Sequence, residues 1–204
     1  MGPWRNAPWG LWLPGLVYAA LILPTLGRQG IDWDAPTDLL AATSYLAPGG
    51  LWTGSPLDPI NVRLPMYLGG LLFRLTGPEL LAARALSCAA GLATLCGVWI
   101  WCRRDFGRRA ATLACLLLAT SPYFLAYSRL AFSNGDVFIA CAVAWVLVAA
   151  SHFDARPRPA RAAGLGFALG MALSSKISAL ALAPALTLWL LLRGHGDGRT
   201  PQAP

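Results

Sequence analysis

Residues 80–109 read LLAARALSCAAGLATLCGVWIWCRRDFGRR. The apolar part, 80–102, is long enough for one membrane crossing, because an α-helix needs about 20 residues to span a bilayer. Trp99 and Trp101 lie near its end, where aromatic side chains gather at the membrane surface. The cluster of arginines that follows is typical of a cytoplasmic turn, and the stretch therefore predicts a helix that ends at the inner surface.

Similar apolar runs lie on both sides of this stretch. The whole chain is 56% hydrophobic and only 12% charged, which is too apolar for an ordinary soluble domain. We therefore predict an all-α polytopic membrane protein with about six transmembrane helices. The predicted spans are residues 9–26, 80–102, 110–127, 137–153, 162–175 and 177–192.

The net charge of +7 would suggest nucleic acid as a partner if the protein were soluble. The arginines, however, concentrate in alternate turns, as the topology rule for membrane insertion requires. The charge thus predicts no nucleic-acid surface, but a multi-pass protein of the cell inner membrane with both termini in the cytoplasm. Residues 1–192 form the predicted membrane module, and the polar residues 193–204 are expected to be a disordered tail.

The five cysteines all lie inside apolar runs, and no Cys or His pair has metal-ligand spacing. We interpret them as small apolar side chains and predict neither a disulfide framework nor a metal site. No cofactor is predicted, and the question of a divalent metal stays open.

The first outer loop, residues 27–79, is the place where the chain can perform aqueous chemistry. Helical spacing of apolar residues predicts a short helix on the membrane surface at 38–47. A second apolar stretch at 64–75 is too short to span and predicts an interfacial or re-entrant helix.

Three carboxylates are candidates for proton transfer. Asp34 and Asp38 are four residues apart and can share a helix face, and Asp136 begins the span at 137–153 from the same side. Two acids near one surface suit a general base with an orienting group. The alternative is that these residues simply cap helices.

Basic side chains lie at the same predicted outer ends of the apolar segments. An arginine can bind phosphate through its planar fork and a lysine as a point charge. The alternative is that they extend to the lipid head groups for solvation only. The candidates are Arg63, Arg84, Arg129 and Lys176, the last being the only lysine of the chain.

The order of these features resembles the N-terminal half of the GT-C membrane glycosyltransferases. The resemblance is carried by DAPTDLLAA at 34–42, NVRLPMYLGGLLFRLTG at 61–77, the stretch 83–140 and the SSK turn at 174–176. The most similar branch is glycosyltransferase family 39, which includes the protein O-mannosyltransferases and the bacterial lipid A aminoarabinose transferases. The resemblance implies inverting transfer of a sugar from a polyprenyl- or dolichyl-phosphate donor to an outer-face lipid, glycan or protein.

It also implies roles for the acids. Asp34 matches the first-loop Asp that acts as, or next to, the base, and Asp38 takes a position that is often aromatic. Asp136 matches an acid at the outer start of a span if an insertion at Asn134 and Gly135 is allowed. Without that insertion, Asn134 takes its place.

The basic residues follow in the same way. Arg63 stands where the family has His or a basic residue, ahead of Pro65 and Tyr67, which implies that Arg63 lies near the donor phosphate. Tyr67 is a further substrate-binding candidate. Arg129 matches the Arg of a Ser-Arg pair, and Lys176 matches a basic residue in the later turn.

The chain also departs from the family pattern. Ala35 follows Asp34 where the family has Asp-Glu, and relatives continue for several more spans. The expected partners are the lipid-linked donor, membrane lipids, and a C-terminal half or a partner membrane subunit. The alternative function is a non-catalytic truncated relative that binds the lipid carrier or such a subunit. A transporter ranks last, because the spans carry almost no polar residues between their ends.

Overall fold

The computed structural model describes residues 9–27, 35–45, 63–132 and 135–196. These residues form helices joined by short turns, and they contain no strand. The all-α membrane fold predicted from the sequence is therefore confirmed. Nine α-helices follow one another in these ranges: α1 (Trp9–Ile22), α2 (Ala35–Ser44), α3 (Arg63–Thr76), α4 (Leu80–Asp105), α5 (Arg108–Thr120), α6 (Pro122–Arg129), α7 (Asp136–Ala155), α8 (Pro159–Ser175) and α9 (Leu182–Gly196).

Two of the helices are long and apolar enough to cross a membrane by themselves. These are α4 and α7, with 26 and 20 residues. The bent pair of α5 and α6 makes a third crossing if it is one span. The remaining predicted spans correspond to α1, α8 and α9, which have 14, 17 and 15 residues. The number of six spans therefore stays a prediction.

The span predicted at 110–127 is broken into two helices. Pro122 has no amide hydrogen to donate to the preceding turn, so α5 ends before it. Ser121 then caps α6, with its Oγ accepting a hydrogen bond from the Phe124 N–H at 3.5 Å. The two helix axes differ by 62°.

The central helix of the bundle is α4, which packs against α1, α5, α6 and α7. Small residues let the backbones approach, as is common inside membranes. A Cβ added to Gly97 would lie 2.9 Å from the Cβ of Ala144 in α7. Opposite Gly91, the buried Tyr18 of α1 donates its hydroxyl hydrogen to the Cys88 carbonyl at 3.1 Å.

A second buried cluster joins α7 to α8 and α9. It includes Val146 and Ala150 of α7, Leu165 and Ala172 of α8, and Leu186 of α9. The chain breaks between α8 and α9 at Lys176, whose backbone is extended, and passes through a 3-10 turn at Ile177–Ala181. The chain therefore breaks where the sequence predicts the turn, whereas the helical hairpin itself stays a prediction; α9 extends to Gly196.

The two short loop helices pack against each other. The first begins at Ala35 rather than at residue 38, because Pro36 is suited to the first turn of a helix. It ends at Ser44 rather than 47, so both predicted boundaries were wrong. α3 agrees with the predicted 64–75 to within a residue at each end.

The bundle has two polar ends. At one, which we call the Asp136 end, Arg84 donates a hydrogen bond from Nη1 to the Leu26 carbonyl at 3.0 Å. At the other, the Arg104 end, the Ser151 hydroxyl donates to Asp105 Oδ1 at 2.9 Å. Of the predicted outer-side residues that the structure describes, Arg84, Arg129, Asp136 and Lys176 lie at the first end, and the arginine-rich turns lie at the second.

Candidate functional site

The charged centre of the Asp136 end is an ion pair between two helix boundaries. Asp136 is the first residue of α7, following Gly135, whose φ of +76° favours glycine. Lys176 lies in the extended break after α8. Its Nζ donates a hydrogen bond to Asp136 Oδ1 at 2.5 Å.

Both side chains of this pair remain partly open, with exposed fractions of 24% for Lys176 and 30% for Asp136. A lysine ammonium has three donors, and only one is used by Asp136. The ammonium can therefore still offer hydrogens to an anion. The sequence predicted both residues as site members but did not predict that they contact each other.

The loop before Asp136 is fixed by Phe132. Its backbone adopts a φ of +58°, which is rare for a non-glycine residue and costly for a bulky one. The Phe132 N–H donates to Ser87 Oγ at 3.1 Å, and its carbonyl accepts from the Gly135 N–H at 2.8 Å. Two hydrogen bonds therefore hold the turn that leads into α7.

The Phe132 side chain anchors the same loop on the short helices. Its ring is fully buried and meets Phe73 of α3 edge-on, with 6.2 Å between ring centroids. The absence of a side chain at Gly69 of α3 makes space for this ring, because a Cβ there would overlap it. Sequence reasoning missed Phe132 and Ser87; the pair of glycines within a helix pattern was the one available signal of a close approach.

Ser87→Ala is expected to loosen the Lys176–Asp136 pair. The change leaves the buried Phe132 N–H without its acceptor, which costs about 1–3 kcal/mol. With the loop less fixed, the reaction of Lys176 with an amine-directed reagent should become several-fold faster, as measured by mass spectrometry of the labelled peptide. Thr94→Ala is the matched control, because Thr94 lies buried on the same helix and its bonds, to the Ala90 carbonyl and to the Cys141 side chain, do not involve Phe132. Equal labelling rates in the two variants would contradict this role of Ser87.

Arg129 has a structural connection that the sequence did not indicate. Its Nε donates to the Leu125 carbonyl and its Nη1 to Thr25 Oγ1, both at 3.0 Å. These bonds tie the end of α6 to the turn after α1. Among the contacts of the described residues, none joins Arg129 to the Lys176–Asp136 pair.

The loop helices account for part of the other candidates. Asp38 lies in the first turn of α2 with only 3% of its surface exposed. Tyr67 of α3 is exposed, and its ring meets that of Tyr45 edge-on at 6.0 Å. Two further candidates, Asp34 and Asn134, lie outside the described residues. For Arg63 the structure describes the backbone, as the first residue of α3, but not the side chain.

An apolar groove of about 670 Å³ begins beside the ion pair. It lies between α3, α4, α7 and α8, and its walls include Leu68, Ala93, Trp145 and Phe167. At its Asp136 end it is lined by Phe138 and by Ser175, which directly precedes Lys176. The groove continues to His152 near the other end of α7, a distance of about 21 Å along the helix.

No group of three or more His, Cys, Asp or Glu side chains that could hold a metal ion occurs among the described residues. The described charged side chains of this end include the Lys176–Asp136 pair, Asp38, Arg84 and Arg129.

By its fold and site, the chain is a multi-pass helical membrane protein with an ion pair beside one end of an apolar groove. It belongs to the dolichyl-phosphate-mannose-protein mannosyltransferase family, whose model matches residues 63–200, well over half of the chain. No curated protein and no solved structure matches it.

Family membership confirms the resemblance to GT-C glycosyltransferases. It indicates a mannosyltransferase-like enzyme class that takes its sugar from a polyprenyl- or dolichyl-phosphate donor. The matched range includes Tyr67, Arg129, Asp136 and Lys176 but not residues 1–62. The roles of all the site residues stay predictions.

Proposed function

We propose that this chain transfers a sugar from a polyprenyl- or dolichyl-phosphate donor to a lipid, glycan or protein at the outer face of the cell inner membrane. The Asp136 end would then face outward and both termini the cytoplasm. The observation that carries the proposal is the position of the Lys176–Asp136 pair beside the end of the apolar groove that Phe138 and Ser175 line. An ion pair next to an apolar groove suits a lipid that has a charged head group and a long apolar tail.

The donor would bind with its two parts in these two environments. Its isoprenoid chain lies in the groove, where burial of each CH₂ contributes about 0.8 kcal/mol in transfer from water. Its phosphate lies against the Lys176 ammonium. Asp136 keeps that ammonium beside this end of the groove, and the two donors that remain on Nζ can bind phosphate oxygens.

The transfer itself needs a base on the opposite side of the sugar. The acceptor oxygen forms a bond to the anomeric carbon while the bond from that carbon to the phosphate oxygen breaks. The acceptor proton goes to Asp34, and the lipid phosphate leaves with the electron pair. Arg63 and Arg129 add positive charge for that phosphate, while Asp38, Tyr67 and Asn134 border the sugar or acceptor.

Lys176→Met is expected to weaken donor binding by about 10- to 100-fold, the range given by loss of a charge-assisted hydrogen bond. Methionine keeps a similar apolar stem, so this end of the groove retains its shape. The measurement is equilibrium binding of polyprenyl-phosphate mannose to the full chain in nanodiscs. Lys176→Arg should retain most of the affinity, because the charge is kept.

The control for this change is Arg103→Gln, which removes a positive charge from the opposite end of the bundle. It should leave donor affinity unchanged. If Lys176→Met and Arg103→Gln bound the donor equally well, phosphate recognition by Lys176 would be rejected.

Ala93→Phe is expected to block the groove and lower the affinity for the same donor by about tenfold. Ala93 lines the groove wall, so a benzyl group there fills space that the isoprenoid chain needs. Leu113→Phe is the matched control, because Leu113 of α5 is 59% exposed and does not line the groove. A short-chain donor analogue should be insensitive to both changes, whereas equal loss of both donors would mean that Ala93→Phe had damaged the fold.

A further inference from the structure

A second, smaller cavity lies at the Arg104 end, away from the proposed reaction. It measures about 360 Å³ and is enclosed by α4, α7 and α9. Leucine and alanine side chains form most of its wall. Three aromatic side chains and one carboxylate also line it: Trp101, Phe106, Trp189 and Asp105.

The carboxylate is in an unfavourable position for its own helix. Asp105 is the last residue of α4, where the helix dipole places partial negative charge and disfavours an acid. It is nevertheless held in place, since the hydroxyl of the buried Ser151 donates to its Oδ1 at 2.9 Å. Within the described chain its ion pair is with Arg104, whose Nε lies 3.9 Å away, at the outer limit for such a contact.

The aromatic walls add to the negative potential of this cavity. Trp101 and Phe106 meet edge-on, with 5.7 Å between centroids and an interplanar angle of 88°. Trp189 contributes from α9. The faces of aromatic rings attract cations, and a carboxylate among them favours an ammonium group that can also donate hydrogen bonds.

The two turns at this end of the bundle are rich in arginine. Arginines of the two turns at this end flank it in the sequence, at 103, 104, 108 and 109 and at 156, 158 and 161. A simple cation would be repelled by them, whereas a head group that joins an ammonium to a phosphate satisfies both charges. The Arg104 end is also the predicted cytoplasmic surface, so the cavity lies at the depth of the lipid head groups of that leaflet.

We propose that this cavity binds the head group of phosphatidylethanolamine from the leaflet at the Arg104 end. The ammonium lies among Trp101, Phe106 and Trp189 and donates a hydrogen bond to Asp105, and the phosphate lies against the neighbouring arginines. A choline head group has no N–H to donate, and a glycerol head group has no positive charge. The site therefore prefers ethanolamine to both.

The test is lipid retention by the purified full chain, measured by native mass spectrometry after equilibration with equal amounts of phosphatidylethanolamine, phosphatidylcholine and phosphatidylglycerol. The wild type should retain ethanolamine lipid in excess over the other two. Asp105→Asn keeps the size of the side chain but removes its charge, and it should lower that retention about tenfold. Trp189→Leu should lower it several-fold.

Asp154→Asn is the matched control, because Asp154 lies near the end of α7 at the same membrane surface but does not line the cavity. It should retain the lipid as the wild type does. Equal retention of all three lipids by the wild type would overturn the proposal. So would unchanged retention in Asp105→Asn, which would mean that a cation of the chain itself neutralises Asp105. Neither result depends on sugar transfer, so the proposal can fail independently of the proposed function.

Discussion

Replacing Asp34 by Asn is expected to lower the rate of sugar transfer by about 10²–10⁴-fold, which is the usual contribution of a positioned general base. Binding of the lipid-linked donor should stay unchanged, because the base acts on the acceptor and does not contact the phosphate. The measurement is incorporation of labelled mannose from polyprenyl-phosphate mannose in membrane vesicles that contain the full chain. Donor binding is measured on the same preparation.

The helix that follows Asp34 packs, through its far end, toward the turn before the ion pair. Asp34 directly precedes Ala35, the first residue of α2. α2 packs on α3 at Gly70, where an added Cβ would lie 2.7 Å from the Cβ of Tyr45. α3 in turn contacts Phe132, which precedes Asp136 by one turn. These contacts connect the end of α2, at Ala42 and Tyr45, with the turn before Asp136.

Asp58→Asn is the control for this prediction, because Asp58 belongs to the same predicted outer loop and has no assigned role. It should transfer sugar at the wild-type rate. Wild-type turnover in Asp34→Asn would reject the base assignment alone. A wild-type chain that binds the donor but transfers nothing would instead support the non-catalytic alternative, which the presence of Ala35 after Asp34 favours.

The long apolar helices were the features that sequence could predict well. Hydrophobic length determines α4 and α7, since a helix must cover the bilayer core. Pro122 interrupts the span predicted at 110–127 because proline lacks an amide hydrogen, but the angle of the bend depends on how α6 packs against α1 and α4. Boundaries of α2 were wrong because the effect of Pro36 on the first turn outweighed the apolar spacing.

The candidate site was only partly predictable. Asp136 and Lys176 are 40 residues apart, and they meet because α8 returns along α7 and breaks at the same depth at which α7 begins. The periodicity of apolar residues in the sequence does not indicate at which depth in the membrane each helix begins or ends. Phe132 was missed for a different reason: an aromatic residue with positive φ opposes local preference, so only the tertiary contacts with Ser87 and Phe73 can explain it.

Gly91→Ala is expected to destabilise the bundle by about 3 kcal/mol or more, which for many membrane proteins means loss of folded material. An added Cβ would overlap the Tyr18 hydroxyl and lie 2.8 Å from Ser128 Oγ. Overpacking of a tight interface costs about 1–3 kcal/mol. Displacement of the buried hydroxyl from the Cys88 carbonyl adds about 1–3 kcal/mol. The measurement is the temperature at which the detergent-solubilised chain loses its monodisperse size-exclusion peak.

The matched control is Gly170→Ala in α8, where an added Cβ meets nothing within 4 Å. Because Ala is the better helix former by about 1 kcal/mol, this variant should be as stable as the wild type or slightly more so. Combining Gly91→Ala with Tyr18→Ala should cost less than the sum of the two single changes, because the first then has no hydroxyl to displace. Additive losses in the double variant would mean that α1 does not pack against α4 through Tyr18 and Gly91, and the position of α1 in the bundle would have to be revised.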